Sequence, residues 1–211
     1  MNAWIFTAGA IYPENIPARP AAGDLCIAAD AGLKNAQTLG VRVSVVVGDF
    51  DSLGARPRLD PDVEIISVPA EKDETDTALA VSLALERDAE LIHIIGGLDG
   101  RLDHTLANLS LLEKLETGGV HATIENGQSR VRFLRATSTL LARTKYRYVS
   151  LIPVDPVLKG VGVEGCKYPL KNAKLTRTNA GLSVSNEIIG NCCLISVRKG
   201  AMYIVESTDR P

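Results

Sequence analysis

From residue 3 to residue 117 short apolar runs alternate with helical patterns, and this rhythm restricts the fold more than any other feature of the chain. Strands are expected at 3–7, 25–29, 43–47, 63–68 and 91–95, with helices at 32–39, 76–87 and 102–116. Several of the strand runs are apolar throughout, as parallel strands covered on both faces are. A βαβ succession of this kind implies an α/β doubly wound sheet, which gathers ligands at the C-terminal ends of its strands.

Gly118 and Gly119 stop the last long helix, and the pattern changes. The segments 122–125, 131–134, 146–152, 182–185, 194–197 and 201–206 are short and rich in β-branched or aromatic residues. Turn signals such as Asn126-Gly127, Gly190-Asn191 and Lys199-Gly200 separate them. The expectation is an α/β doubly wound N-terminal domain over 1–118, followed by an all-β sandwich, jelly-roll-like, over 119–211. Within the second half Gly160-Val161-Gly162-Val163-Glu164-Gly165 matches GxGxxG, but prolines flank it in a β context. No helix is expected to follow and receive a pyrophosphate, so it is rejected as a cofactor loop.

The 211 residues give room for two modest cores, and 45% hydrophobic with 23% charged residues is ordinary globular composition. No apolar stretch is long enough to cross a bilayer, and the N-terminal residues lack the basic start and apolar run of a signal peptide. A cytoplasmic protein without membrane attachment is expected. Cys26, Cys166, Cys192 and Cys193 form no CxxC pair, which argues for reduced thiols rather than zinc or thioredoxin-like chemistry. The net charge of −2 conceals an asymmetry: residues 1–117 carry 19 acidic and 9 basic side chains, residues 118–211 carry 6 and 14. The acidic half suits cations and the basic half suits phosphates or an acidic neighbour. Nucleic acid is not expected as a partner, because no aromatic platform accompanies the basic residues.

Four loops that follow strands carry the chemistry. Asp30-Ala31-Gly32 follows the second strand and either contacts a nucleotide or simply starts a helix. Gly48-Asp49-Phe50-Asp51-Ser52 follows the third. Its two carboxylates, one residue apart, can surround a hard cation, and Mg2+ takes one or two carboxylates together with substrate phosphates. The same residues begin like a calcium loop, but Leu53 and Asp60 fall where oxygen donors of the right kind are needed. Glu71-Lys72-Asp73-Glu74-Thr75-Asp76 opens a helix. Asp73 and Thr75 suit a helix start, Asp76 completes an acidic set with Asp49 and Asp51, and Lys72 brings a compact charge for phosphate. In 96–104, Gly97 permits close backbone approach to a phosphate and Arg101 offers a planar fork. Arg101, His104 and Asn108 then form a polar stripe beside Leu102, Leu106 and Leu109.

Taken in order, these signatures resemble those of the thiamine pyrophosphokinases. The likeness continues through Gly165-Cys166-Lys167-Tyr168-Pro169-Leu170 and Gly181-Leu182-Ser183-Val184-Ser185-Asn186-Glu187. The resemblance implies an ATP-binding α/β domain, a β-sandwich, and a homodimer with thiamine bound between subunits. It implies transfer of the terminal diphosphate of ATP to the alcohol of thiamine, with release of AMP. Asp49, Asp51 and Asp76 would then hold Mg2+ and the triphosphate. Lys72, Arg101 and Asp103 would position phosphates, with Asp30, Asp73, Thr75, Gly97, His104 and Asn108 around the nucleotide. Tyr168, Ser185 and Asn186 would meet thiamine, Tyr168 by stacking on its cationic ring. Asp51 and Asp76 are both candidates for accepting the hydroxyl proton. Two other functions stay open at this point: diphosphate transfer to a hydroxymethylpterin, and a non-catalytic nucleotide sensor on the same fold.

Overall fold

The computed structural model describes residues 1–49, 59–69, 74–179 and 181–209. It is a mixed α/β sheet domain followed by a separate antiparallel β domain, with compact units at Met1–Gly127 and Gln128–Pro211. The first unit contains β1 (Asn2–Phe6), β2 (Leu25–Ala29), α1 (Gly32–Thr38), β3 (Val45–Gly48), β4 (Glu64–Ser67), α2 (Asp76–Glu86), β5 (Leu91–Ile95), α3 (Leu102–Thr117) and β6 (His121–Glu125). The strands run parallel in the order β4-β3-β2-β1-β5-β6.

Why this half becomes a covered sheet is visible in the burial of its strands. Every residue of β2 and β3 is buried, so neither face meets water. On one face Leu33, Ala36 and Leu39 of the α1 region pack on Trp4, Phe6, Cys26, Ala28 and Val46. Helices α2 and α3 touch each other, and α2 lies against β1, β2 and β3. The contact between α1 and the sheet is close: a Cβ at Gly32 would lie 2.0 Å from the carbonyl oxygen of Phe6, so only glycine lets the helix begin there.

The first unit extends to Gly127 rather than ending at 118. The segment read as the first strand of the β domain is β6, which pairs in parallel register with β5 from Leu91↔His121 to Ile95↔Glu125. Gly96 N–H donates to Glu125 O at 2.8 Å and Tyr12 N–H to Asn126 O at 2.8 Å, which fixes the end of the unit.

The second unit comprises β7 (Ser129–Arg135), β8 (Ser138–Ala142), β9 (Tyr148–Pro153), β10 (Val157–Glu164), β11 (Leu170–Thr176), β12 (Cys192–Ser196) and β13 (Ala201–Ser207). Strand β13 pairs antiparallel with β7 and β9, and the other four strands form a second antiparallel sheet ordered β11-β10-β12-β8. Both sheets contribute to one core, with Leu134, Leu151, Met202 and Ile204 from the first and Leu158, Val163, Leu175 and Ile195 from the second. The GxGxxG stretch lies in and just beyond β10, an antiparallel strand followed by β11 and not by a helix. Residues 182–185, expected as a strand, follow a different course. Gly181–Ser183 is a 3-10 turn, the Ser183 hydroxyl donates to Leu151 O at 2.7 Å, and Ser185 is left-handed at φ 58°. Side-chain bonding to backbone has replaced the ladder there.

Candidate active site

An open parallel sheet binds its ligand where neighbouring strands send their loops in opposite directions. Here that point lies between β1 and β5: the chain leaves β1 toward β2 on one side and leaves β5 toward β6 on the other. A cleft of about 220 Å3 opens there, lined by Thr7 and Ala8 after β1, by Gly97, Asp99 and Gly100 after β5, and by Thr77, Arg101, His104 and Asn108. Six polar side chains thus come to one place from the ends of β1 and β5 and from the starts of α2 and α3.

The loops around the cleft are held by short-range chemistry. Gly97 N–H donates to Ala8 O at 2.9 Å, and the buried Asn108 donates from Nδ2 to Gly97 O at 3.1 Å. Gly97 has φ 70°, and a Cβ there would come within 2.6 Å of Asn108 Nδ2, so the residue is required to be glycine twice over. Asn35 of α1 donates from Nδ2 to Thr7 O at 2.7 Å and to Gly9 O at 2.9 Å. These bonds satisfy backbone carbonyls beyond the end of β1 that no ladder reaches.

At the start of α3, Arg101 forms a fork with Asp103: Nε to Oδ1 at 3.1 Å and an NH2 group to Oδ2 at 2.6 Å. Asp103 Oδ1 also accepts His104 N–H at 2.9 Å. The hydrogen bond from Arg101 holds the Asp103 carboxyl below the usual carboxylate range, and Asp103 in turn raises Arg101. The carboxylate therefore holds the guanidinium beside the cleft through a planar two-bond fork. The stripe of Arg101, His104 and Asn108 does line one cleft. Its apolar neighbours do not pack as helix periodicity suggests: Leu102 and Leu106 are 71% and 58% exposed. The buried face of α3 is Asn108, Leu111, Leu112 and Leu115.

The acidic residues lie along the same strand ends. Asp30 caps β2 with a left-handed backbone, φ 46°, a conformation that costs a non-glycine residue about 1–2 kcal/mol. Its N–H donates to Val47 O at 2.8 Å, and a Cβ at Gly48 would stand 3.0 Å from its own Cβ. The two strand ends are thus drawn together, with Asp49 half-buried immediately after Gly48. Asp76 is the first residue of α2 and half-buried, and Thr75 is its N-cap, accepting Ala78 N–H at 3.2 Å. Asp51, Lys72 and Asp73 lie outside the described residues. Among the described residues no three His, Cys, Asp or Glu side chains group closely enough to hold a metal ion.

In the second unit the structure joins two of the three residues expected there. Asn186 Oδ1 accepts the N–H of Tyr168 at 2.9 Å and of Glu187 at 3.0 Å, and its Nδ2 donates to Tyr168 O at 2.7 Å. Asn186 is therefore a clamp on the Tyr168 backbone. The Tyr168 ring is 57% exposed, with the ammonium of Lys167 5.5 Å from its centroid. Ser185 directly precedes Asn186, its N–H donating to Ser150 Oγ at 3.0 Å.

Thr7, Thr77 and Asn35 are cleft or cleft-holding residues that reading the sequence did not single out. No charged residue lies within six positions after Thr7 to draw attention to it, and its place in the site depends on β5 lying beside β1.

Fold and site together define an α/β ligand-binding protein with an appended antiparallel β domain. The description "Thiamin pyrophosphokinase, catalytic domain" matches residues 21–124, and "Thiamin pyrophosphokinase, vitamin B1 binding domain" matches residues 137–202. The chain belongs to the thiamine pyrophosphokinase family. It is 32% identical over 189 residues to the thiamine pyrophosphokinase of Bacillus subtilis (strain 168), covering 88% of each chain. The crystal structure of a Bacillus subtilis thiamine pyrophosphokinase superposes with a TM-score of 0.87 at 27% identity, over 100% of both chains. That of the thiamin pyrophosphokinase from Geobacillus thermodenitrificans gives 0.84 at 29% identity, over 99% of this chain and 98% of the other.

Proposed function

We propose that this chain transfers the diphosphate group of ATP to the hydroxyl of thiamine, giving thiamine diphosphate and AMP. The observation that carries this reading is the two-part family match, which assigns a catalytic domain to the unit with the cleft and a vitamin B1 binding domain to the β unit. Phosphoryl-type transfer depends chiefly on positioning and on neutralising charge, and the cleft is supplied for both. The glycine turn at Gly96 and Gly97 brings backbone close to a phosphate, and the first turns of α2 and α3 favour an anion. Arg101, held by Asp103, binds the phosphate chain. In this reading the first unit is a doubly wound nucleotide domain and the second a jelly-roll-like sandwich that takes thiamine through Tyr168, Ser185 and Asn186.

The donors are of the kind that Mg2+ takes. Asp30, Asp49 and Asp76 offer oxygen only, at two strand ends drawn together by Gly48 and at a helix start. Asp49, Asp51 and Asp76 would hold the ion, which offsets charge on the triphosphate. Thr75 caps α2 beside it, Lys72 would position phosphates, Asp73 would contact the nucleotide, and His104 and Asn108 bound the nucleotide on the side of α3. A homodimer working in the cytoplasm completes the proposal, and sedimentation tests the dimer.

The deciding experiment mixes purified protein with ATP, Mg2+ and either thiamine or a hydroxymethylpterin, and measures AMP. AMP that depends on thiamine is expected. AMP that depends on the pterin, or nucleotide binding with no AMP at all, would overturn the reading.

A further inference from the structure

The floor of the cleft holds a pair of hydroxyls with one proton left over. Thr7 Oγ1 and Thr77 Oγ1 lie 2.9 Å apart, and each residue is 6% exposed. Two hydroxyls carry two protons, and the bond between them uses one. Among the described residues neither hydroxyl has another hydrogen-bond partner. A polar hydrogen left over in a buried position is costly unless something accepts it.

The pair is also fixed in place. Thr7 N–H donates to Ile95 O at 2.9 Å, and Thr7 O accepts from Asn35 Nδ2 at 2.7 Å. The Thr7 Cγ2 lies 3.0 Å from where a Cβ at Gly97 would stand, so the side chain occupies the space that glycine leaves. Thr77 is the second residue of α2, directly after Asp76. Branching at Cβ restricts both side chains to few rotamers. The spare O–H is thus a donor set in advance, with little ordering left to do when a ligand arrives.

The surroundings select the acceptor. The cleft is flanked by the first turns of α2 (11 residues) and α3 (16 residues), whose unpaired N–H groups carry partial positive charge, and by Arg101. Asp99 is the carboxylate that lines the cleft, and its Oδ2 lies 3.4 Å from Ala10 N. A neutral donor among these positive groups matches an anionic oxygen. We infer that the Thr7–Thr77 hydroxyl pair donates its spare proton to a phosphoryl oxygen of a nucleoside triphosphate, making it a specificity contact for the phosphate chain. The inference rests on the reading of this cleft as the ATP site.

The test replaces both hydroxyls by methyl groups of the same shape, Thr7→Val with Thr77→Val, because losing both partners together leaves neither unsatisfied. The double variant is expected to keep its circular dichroism spectrum. Calorimetric titration with a nonhydrolysable ATP analogue and Mg2+ should show binding weaker by about 3- to 10-fold, the range of a single hydrogen bond. The KM for ATP should rise by the same factor, with the KM for thiamine unchanged and kcat within about twofold. Thr77→Ser, which restores a hydroxyl, should bind like the wild type. Unchanged affinity in the folded double variant overturns the inference, as does a serine variant as weak as the valine one or a wild type that does not bind the analogue. The titration does not require turnover. A wild type that binds the analogue but yields no AMP would therefore defeat the functional proposal and leave this contact to be judged on the binding data alone.

Discussion

Cys192 faces solvent at the start of β12, whereas Cys26, Cys166 and Cys193 are buried. Burial pushes the Cys26 thiol up to about 11, with Asp24 adding to the shift, and pushes Cys193 up to about 12. Their protonated forms are stable in the fold at neutral pH, and the thiolate is the reactive species. A thiol reagent at pH 7.5 is therefore expected to label one cysteine, Cys192, in native protein and four after unfolding. Rapid labelling of more than one native thiol would contradict the buried assignments. The same shifts set a direction with pH. Because the folded values lie above the ordinary thiol value of 9.0, stability from these groups is complete below that value and is lost as pH rises toward 11 and 12. Thermal melts should fall from about pH 9 upward, and Cys26→Ser or Cys193→Ser should flatten that fall. Among the acidic residues Asp49 carries the sharpest expectation: Asp49→Asn should lower AMP formation by at least about 100-fold, with a melting temperature near that of the wild type. Turnover within about threefold of wild type would remove Asp49 from the metal set.

The elements were largely legible in the sequence because two periodicities are strong there. The apolar run 25–29 and the nearly apolar run 91–95 became β2 and β5 at the residues expected, and α1, α2 and α3 start where Gly32, Asp76 and Leu102 were read as starts. The strands β8, β10 and β11 were not legible. Segment 157–164 contains Gly160 and Gly162, and 170–176 contains two lysines and an asparagine, so neither presents a β-branched run. They are strands because register supplies what propensity lacks: Leu158 pairs with Leu175 and Val163 with both Leu170 and Ile195, all facing one core. The glycines have structural consequences that sequence could only mark as turns. Gly32→Ala would drive a methyl group into the Phe6 carbonyl, so α1 must shift from the sheet. Destabilisation of about 2 kcal/mol or more is expected, read as a lower urea midpoint. Thr75→Ala removes only the N-cap of α2 and should cost about 1 kcal/mol. If both variants cost the same small amount, the close contact of α1 with β1 is not as tight as its geometry requires.

At the scale of the whole chain, what sequence leaves open is the order of strands, and the site follows from that order. Acidic loops after four strands were readable as a ligand edge, but nothing local to Thr7 or Asn35 announces that β5 lies beside β1. The same gap moved the domain boundary. Residues 122–125 look like a β-domain strand because they are short, carry β-branched Thr123 and Ile124 and are followed by Asn126-Gly127, yet their partner is β5 of the first unit. Truncation separates the two assignments. A fragment ending at 127 keeps β6, in which Ala122 and Ile124 are buried, and keeps the bonds from Tyr12 to Asn126 and from Gly96 to Glu125. A fragment ending at 118 loses them and uncovers the β5 edge, where Ile92, Ile94 and Ile95 are fully buried in the intact chain. Burying one isoleucine side chain contributes about 1.5–3 kcal/mol, so the loss approaches the whole stability of a small domain. The longer fragment should unfold cooperatively in urea and bind a Mg2+–ATP analogue, since the cleft residues Thr7, Thr77, Gly97, Arg101 and Asn108 all precede 127. The shorter one should show no cooperative transition, because Gly96, at the turn that forms the cleft, loses the carbonyl that holds its N–H. Equal cooperativity in the two fragments would mean that β6 belongs energetically to the second unit, whatever its pairing.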